Sequence, residues 1–259
     1  MRLDHLVVVV PELDRAVAEY SALGFAVSPG GEHADGRTHN ALIPFADGTY
    51  VELIAFRPGV AAPDHRWWQA AEAGGGLTDW ALGMDSLAAR VQELREAGLP
   101  FGEPRDGGRL RPDGVRLEWR VAEPASGFGL PFLIEDLTAR PLRVPSGTAA
   151  IHSNGAQGID AVVVAVPELA PAAQQFAALL GAEVSAPATD PLLTAEVVSL
   201  PCNGARIMLT SAPAGPMHEH VERIGAGPYA FFVRADRDYG DWFDFERTGG
   251  VLIRLHTAA

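Results

Sequence analysis

A single cysteine, Cys202, stands in a chain of 259 residues, so no internal disulfide can form. Basic side chains are also scarce. Lys plus Arg number 20 against 33 Asp plus Glu, a formal charge of −13, which is the wrong sign for gripping a phosphate backbone. No nucleic-acid partner is expected. No charged leader with an apolar stretch precedes Asp4 and His5. The longest aliphatic runs, Leu6 to Val10 and Ala161 to Val166, fall far short of the roughly 18 apolar residues that span a bilayer. They are read as buried strands, and the chain is expected to be cytoplasmic with no membrane partner. No nucleophile elbow, phosphate-binding loop or dinucleotide fingerprint in strand-helix context occurs, which removes support from serine hydrolase and nucleotide-enzyme readings. What remains, 47% hydrophobic and 20% charged residues, is the composition of an ordinary globular protein long enough for two medium domains.

The chain repeats itself. The segment Val7 to Gly24 recurs with Pro11, Glu12 and Leu13 matched by Pro167, Glu168 and Leu169, an offset of 156. The same offset carries Asp47, Gly48 and Leu53 onto Asn203, Gly204 and Leu209. Each unit reads as βαβββ. Leu6 to Val10 is a short strand closed by Pro11, and Leu13, Val17, Tyr20 and Leu23 recur at helical spacing until Gly24. A Gly-rich turn at Gly30 and Gly31 precedes His39 to Phe45 and Tyr50 to Phe56, joined across the hairpin dipeptide Asp47-Gly48. A looser second copy at an offset of 74 has a strand over Leu77 to Met84, a helix over Leu87 to Gly98, and strands over Val115 to Val121 and Leu130 to Leu137; it puts Asp79 under His5. Residues 141 to 158, rich in Pro, Ser and Gly, are read as a linker. The expected organisation is therefore modules at about 1–57 and 76–137 forming a domain over 1–140. A second domain follows over 159–259, whose last module is degenerate.

On these motifs the sequence resembles the vicinal oxygen chelate superfamily, the glyoxalase-like proteins, bleomycin-resistance proteins and extradiol dioxygenases. DHLVVVVPELDRAVAEYSALGF at Asp4 to Phe25 is similar to the first strand and helix of that family, and DGTYVELIAF at Asp47 to Phe56 to its metal-ligand strand. The resemblance implies an α+β fold in which paired βαβββ modules form curved mixed sheets with helices outside, in two tandem domains. It also implies a cleft holding a divalent metal (Zn, Ni, Fe, Mn or Mg, or none) through residues of first and fourth strands. Carried over, the ligands are His5 and Glu52 from the first module. The second supplies Asp79, with apolar Phe132 and Leu133 where a further carboxylate is expected. The third has Ala161 and Met208 at those positions, so the C-terminal pair is expected to bind no metal.

The residues themselves bear on this. Glu52 stands among Val51, Leu53 and other apolar neighbours, and a buried carboxylate is generally paired, protonated or metal-bound. The alternative is a solvent-facing glutamate on a half-exposed strand. By alternation Tyr50, Glu52 and Ile54 share a face, as do His5, Val7 and Val9. Neutral imidazole suits zinc, iron and nickel. His39 and Asn40 open the third strand and are candidates to line the same cleft. Asp79 is either an oxygen ligand or general base, or a strand-initiating aspartate bonded to its own backbone. Trp80 and Trp119, with Trp67 and Trp68, offer aromatic surface for a ligand or for the core. His218 and His220 are read as surface residues, and Cys202 as an inert small side chain.

The function expected from the resemblance is a metal-dependent lyase, isomerase or dioxygenase acting on a small substrate with adjacent oxygens, with Glu52 moving the proton. The competing expectation is a metal-free protein of the same fold that sequesters a small molecule. The incomplete ligand set and the acidic charge suit that reading. The cleft closes either within one chain or across a homodimer.

Overall fold

Strand β1 (Arg2–Val9) is apolar on both faces from Leu6 onward and buried along almost its whole length, as befits a strand covered on two sides. Helix α1 (Leu13–Ala22) follows, and the chain leaves it through Gly24 in a left-handed conformation with φ +90°. Strands β2 (Ser28–His33), β3 (Thr38–Pro44) and β4 (Tyr50–Phe56) complete the module. The structure, a computed structural model, describes residues 1–125 and 129–257.

β2 corrects the sequence reading, which placed a turn at Gly30 and Gly31. Those glycines are strand residues at a register shift between Pro29 and Gly31, a bulge that shortens the approach of neighbouring chains. A Cβ on Gly30 would collide with the Asn40 side chain, and one on Gly31 with the Leu110 carbonyl. Glycine is needed here for proximity, and its weak strand propensity conceals the strand.

The second module runs through the short helix α2 (Trp68–Glu72), β5 (Gly76–Gly83), α3 (Leu87–Glu96), β6 (Arg105–Leu110), β7 (Arg116–Ala122) and β8 (Phe132–Asp136). The eight strands close into a barrel in the order β1-β4-β3-β2-β6-β7-β8-β5. Its modules meet at two antiparallel seams, β1 on β5 and β2 on β6.

The segment 141–158, read as a linker, lies between the two sheets and is packed. It includes the end of the one-turn helix α4 (Arg140–Arg143) and a 3-10 turn at Gly147–Ala150, and it buries Arg143, His152 and Asn154. The third module follows as β9 (Ala156–Ala165), α5 (Leu169–Leu180), β10 (Ala188–Asp190), β11 (Ala195–Cys202) and β12 (Ala205–Thr210). Its strand pairing reproduces the first module at the repeat offset. His5 pairs with Tyr50 and Val7 with Glu52; 156 residues on, Ala161 pairs with Arg206 and Val163 with Met208.

The fourth module is reduced to β13 (Gly227–Ala235) and β14 (Leu252–Thr257), with no helix among the residues between them. The second sheet is therefore an open six-stranded one, β10-β11-β12-β9-β13-β14. Helix α6 (Pro216–Ile224) precedes β13 and carries His218 and His220, both half-buried. That corrects their reading as surface residues after a loop. Pro216 opens this helix, where a missing N–H costs nothing, so the Pro-Gly signal marked a helix start.

One hydrophobic core serves both sheets. The outward faces of β1, β4 and β5 (Leu6, Val8, Leu53, Trp80, Leu82) share it with Phe176 of α5 and with Val162, Val164 and Phe231 of the second sheet. At roughly 1.5–3 kcal/mol per fully buried large apolar side chain, this shared layer is a principal source of stability.

Candidate active site

The inner face of the barrel is apolar at one level and polar at the next. Val7, Val9, Ile54, Ala81, Phe132 and Ile134 form the apolar layer. His5, His33, Asn40, Tyr50, Glu52, Arg109 and Trp119 line an open cavity of about 570 Å³. The expected face of β4 is observed, with Tyr50 and Glu52 in the cavity and Ile54 in the apolar layer beneath.

His5 reaches the cavity through a bulge. In the pairing of β1 with β5, Leu3 faces Leu82 and His5 faces Ala81, so Asp4 is the extra residue and its side chain turns to the same region as His5. Nδ1 of His5 donates to Oδ1 of Asp4 at 2.8 Å, which directs Nε2 toward Glu52, 3.5 Å from Oε2. The ring stacks on Tyr50 with centroids 4.5 Å apart and stands edge-on to Phe132 at 5.4 Å. Asp4 is fully buried and also pairs with Arg140 and with Arg143, the latter at 3.0 Å. Burial alone would raise its carboxyl, but Arg143, His5 and Arg140 outweigh burial and hold it well below the carboxylate range. Arg143 donates in addition to the Tyr50 hydroxyl at 2.6 Å, fixing that ring beneath the imidazole.

Glu52 is buried and ionised. Burial would raise its carboxyl, yet His33, His5 and the hydrogen bond from Asn40 together lower it. Oε1 accepts from Nδ2 of Asn40 and lies 3.5 Å from Nε2 of His33. His33 is braced through Nδ1 by the Thr38 hydroxyl at 2.8 Å, and burial, partly opposed by Glu52, lowers its pKa. Asn40 is itself held, its Oδ1 accepting from Nη1 of Arg109 at 3.1 Å.

Of the expected site residues, His5, Glu52, Asn40, Tyr50 and Trp119 come together. Asp79 does not join them. Strand pairing sets Asp79 opposite Val7, and its oxygens are occupied by Arg66 at 2.6 Å, by Nε1 of Trp67 at 2.8 Å and by the Trp80 backbone N–H at 2.9 Å. Burial raises its pKa, against the pull of Arg66. The offset of 74 is itself reproduced in the pairing of β1 with β5, where His5 faces Ala81 and Val7 faces Asp79; what keeps Asp79 from His5 and Glu52 is its engagement with Arg66 and Trp67. Trp80 points to the outer core, stacked on Phe176 with centroids 6.0 Å apart, and His39 lies on the outer side of β3, since Thr38 and Asn40 take the inner one. Neither lines the cavity. Sequence reasoning missed His33, Arg109, Arg66, Asp4 and Arg143, none of which had a local signal, while Trp67, weighed there as ligand or core surface, lines the cavity.

The donor chemistry of this cluster fits a divalent cation. With its Nδ1 directed to Asp4, His5 turns Nε2 to a carboxylate oxygen, an arrangement that is favourable only with a proton or a metal ion between the two atoms. His5 and Glu52 are the residues that would hold such an ion, with His33 adjacent. His33 addresses the other carboxylate oxygen, and among the described residues no group of three or more His, Cys, Asp or Glu forms a ready metal cluster. In the second sheet the corresponding face is filled by Ala161, Val163, Met208, Phe232 and Trp242.

A sequence model of the glyoxalase-like domain family matches residues 3–180, and the chain belongs to that family within the vicinal oxygen chelate superfamily. Among curated proteins none matches significantly. A hypothetical protein from Staphylococcus aureus superposes with a TM-score of 0.74 at 12% identity, over 99% of both chains. A triple mutant of 4-hydroxymandelate synthase from Streptomyces coelicolor superposes with 0.61 at 16% identity, over 91% of this chain and 71% of the other. A fusion of a xylose isomerase-like TIM barrel with 4-hydroxyphenylpyruvate dioxygenase gives 0.52 at 15%, over 91% and 36%. At these identities the likeness is one of fold.

Proposed function

We propose that this protein is a divalent-metal-dependent enzyme of the lyase, isomerase or dioxygenase type, acting in the barrel cavity on a small substrate with adjacent oxygens. The observation that carries the reading is the opposed pair His5 Nε2 and Glu52 Oε2, 3.5 Å apart at the wall of an open cavity and braced from behind by Asp4 and Asn40. A metal ion held there by His5 and Glu52 would supply Lewis acidity toward negative charge developing on the substrate. The chain's residues do the rest. Glu52, ionised and buried, takes a proton from the substrate, and His33 beside Oε1 relays it. Trp67, Trp119 and Phe132 give the substrate apolar surface and exclude water.

A second reading, metal-free sequestration of a small molecule, draws support from Asp79, whose oxygens are already occupied, and from apolar Phe132 on the cavity wall. Turnover separates the two. Metal-supplemented protein is incubated with a panel of hydroxycarbonyl, diol and catechol compounds, and products are followed by mass spectrometry. The enzyme reading expects conversion of at least one compound, reduced about 10²- to 10⁴-fold in Glu52→Gln. Binding without conversion across the panel supports sequestration.

A further inference from the structure

Each arginine of the cavity wall but one is matched by a carboxylate. Arg37 pairs with Asp64 at 2.9 Å, Arg66 with Asp79 at 2.6 Å, Arg105 with Glu123 at 2.6 Å and Arg143 with Asp4 at 3.0 Å. Arg109, on β6, is only 4% exposed and forms no ion pair among the described residues. Nη1 donates to Asn40 and Nη2 to the Arg143 carbonyl, each at 3.1 Å, and Nε has no partner among the described residues. A buried cation with no anion bonded to it is costly. Glu52 lies near enough for its charge to act on Arg109, but it forms no ion pair with it, since Asn40 stands between the two and Glu52 already faces two imidazoles. The hydrogens left on Nη1 and Nη2 after those two bonds suit the oxygens of a carboxylate. Around it the wall is aromatic, through Trp67, Trp119 and Phe132.

We propose that the cavity's ligand is a small aromatic carboxylate whose carboxyl group pairs with Arg109. This deepens the reading of the cavity as the substrate site and rests on it. The charge of the chain as a whole is −13, so attraction of an anion is a local property of this wall.

The test compares benzoate with benzamide, its neutral near-isostere, by calorimetry and tryptophan quenching on the full chain, once after chelator treatment and once with zinc added. The expected result is benzoate binding about tenfold or more tighter than benzamide in both preparations, with the preference lost in Arg109→Gln and retained in part in Arg109→Lys. Equal binding of the two compounds by the unaltered protein overturns the proposal, as does absence of benzoate binding at millimolar concentration. Neither outcome depends on a variant folding. A preference seen only with zinc, or one that persists in folded Arg109→Gln, also overturns it, because the carboxylate is then held elsewhere. Benzoate preference in a protein that takes up no metal leaves this inference standing while the metal reading fails.

Discussion

Asp4 and His5 are neighbours in sequence, yet a bulge turns both toward one region so that the carboxylate holds the imidazole by Nδ1 at 2.8 Å. In that arrangement Asp4 orients His5 and offsets the charge of Arg143 and Arg140 at the same time. Asp4→Ala is expected to cost about 3–5 kcal/mol in urea denaturation, because it leaves Arg143 with only Asp136 in a buried site. Asp4→Asn keeps the shape and should cost less. Equal stability of Asp4→Ala and the unaltered chain would contradict the account.

Gly30→Ala tests the bulge in β2. Its Cβ must displace Asn40, the residue that holds Glu52. A loss of about 1–3 kcal/mol is expected, together with a raised Glu52 pKa by NMR. An unchanged Glu52 titration would show that Asn40 does not set it.

Acid sensitivity should trace in part to His152. Nδ1 accepts from the Ala26 N–H at 2.8 Å and Nε2–H donates to the Pro44 carbonyl at 2.9 Å, so the neutral ring fills both roles. Burial lowers its pKa, as it lowers that of His220 to about 4. The unfolded chain then binds more protons below the ordinary histidine value of about 6.5, and stability falls as pH drops from there toward the folded pKa. His152→Gln should flatten the dependence of the denaturation midpoint on pH below about 6.5 relative to the unaltered chain. An identical slope would exclude His152.

A fragment of residues 1–140 is expected not to unfold cooperatively. It lacks Arg143 and His152 and exposes the outer face of the barrel, including Trp80, which stacks on Phe176, and Tyr20, whose hydroxyl donates to the Thr248 carbonyl at 2.9 Å. A sharp transition at the full-length midpoint would show that the barrel stands alone.

Much of this was legible in sequence because repetition survives where apolar patterning does. The offset of 156 reappears in the register of β12 on β9, and the ends of β4 fall where alternation placed them. Both strands are aliphatic and continuous. β2 and β6, written SPGGEH and RDGGRL, carry neither periodicity nor β-branched residues, because close backbone approach selects glycine there. They also bring His33 and Arg109 into the cavity, so half the candidate site was hidden with them. Trp80 was misplaced for a different reason: as the neighbour of Asp79 in β5 it takes the opposite face by alternation and turns to the outer core.

Metal content measures the central claim most directly. Protein purified without chelator or affinity metal is analysed for elements, beside a His5→Ala/Glu52→Ala double variant shown to be folded by circular dichroism. The account predicts about one equivalent of a divalent metal per chain, lost in the variant. No metal in the folded, metal-supplemented unaltered protein, or equal metal in the variant, would contradict it.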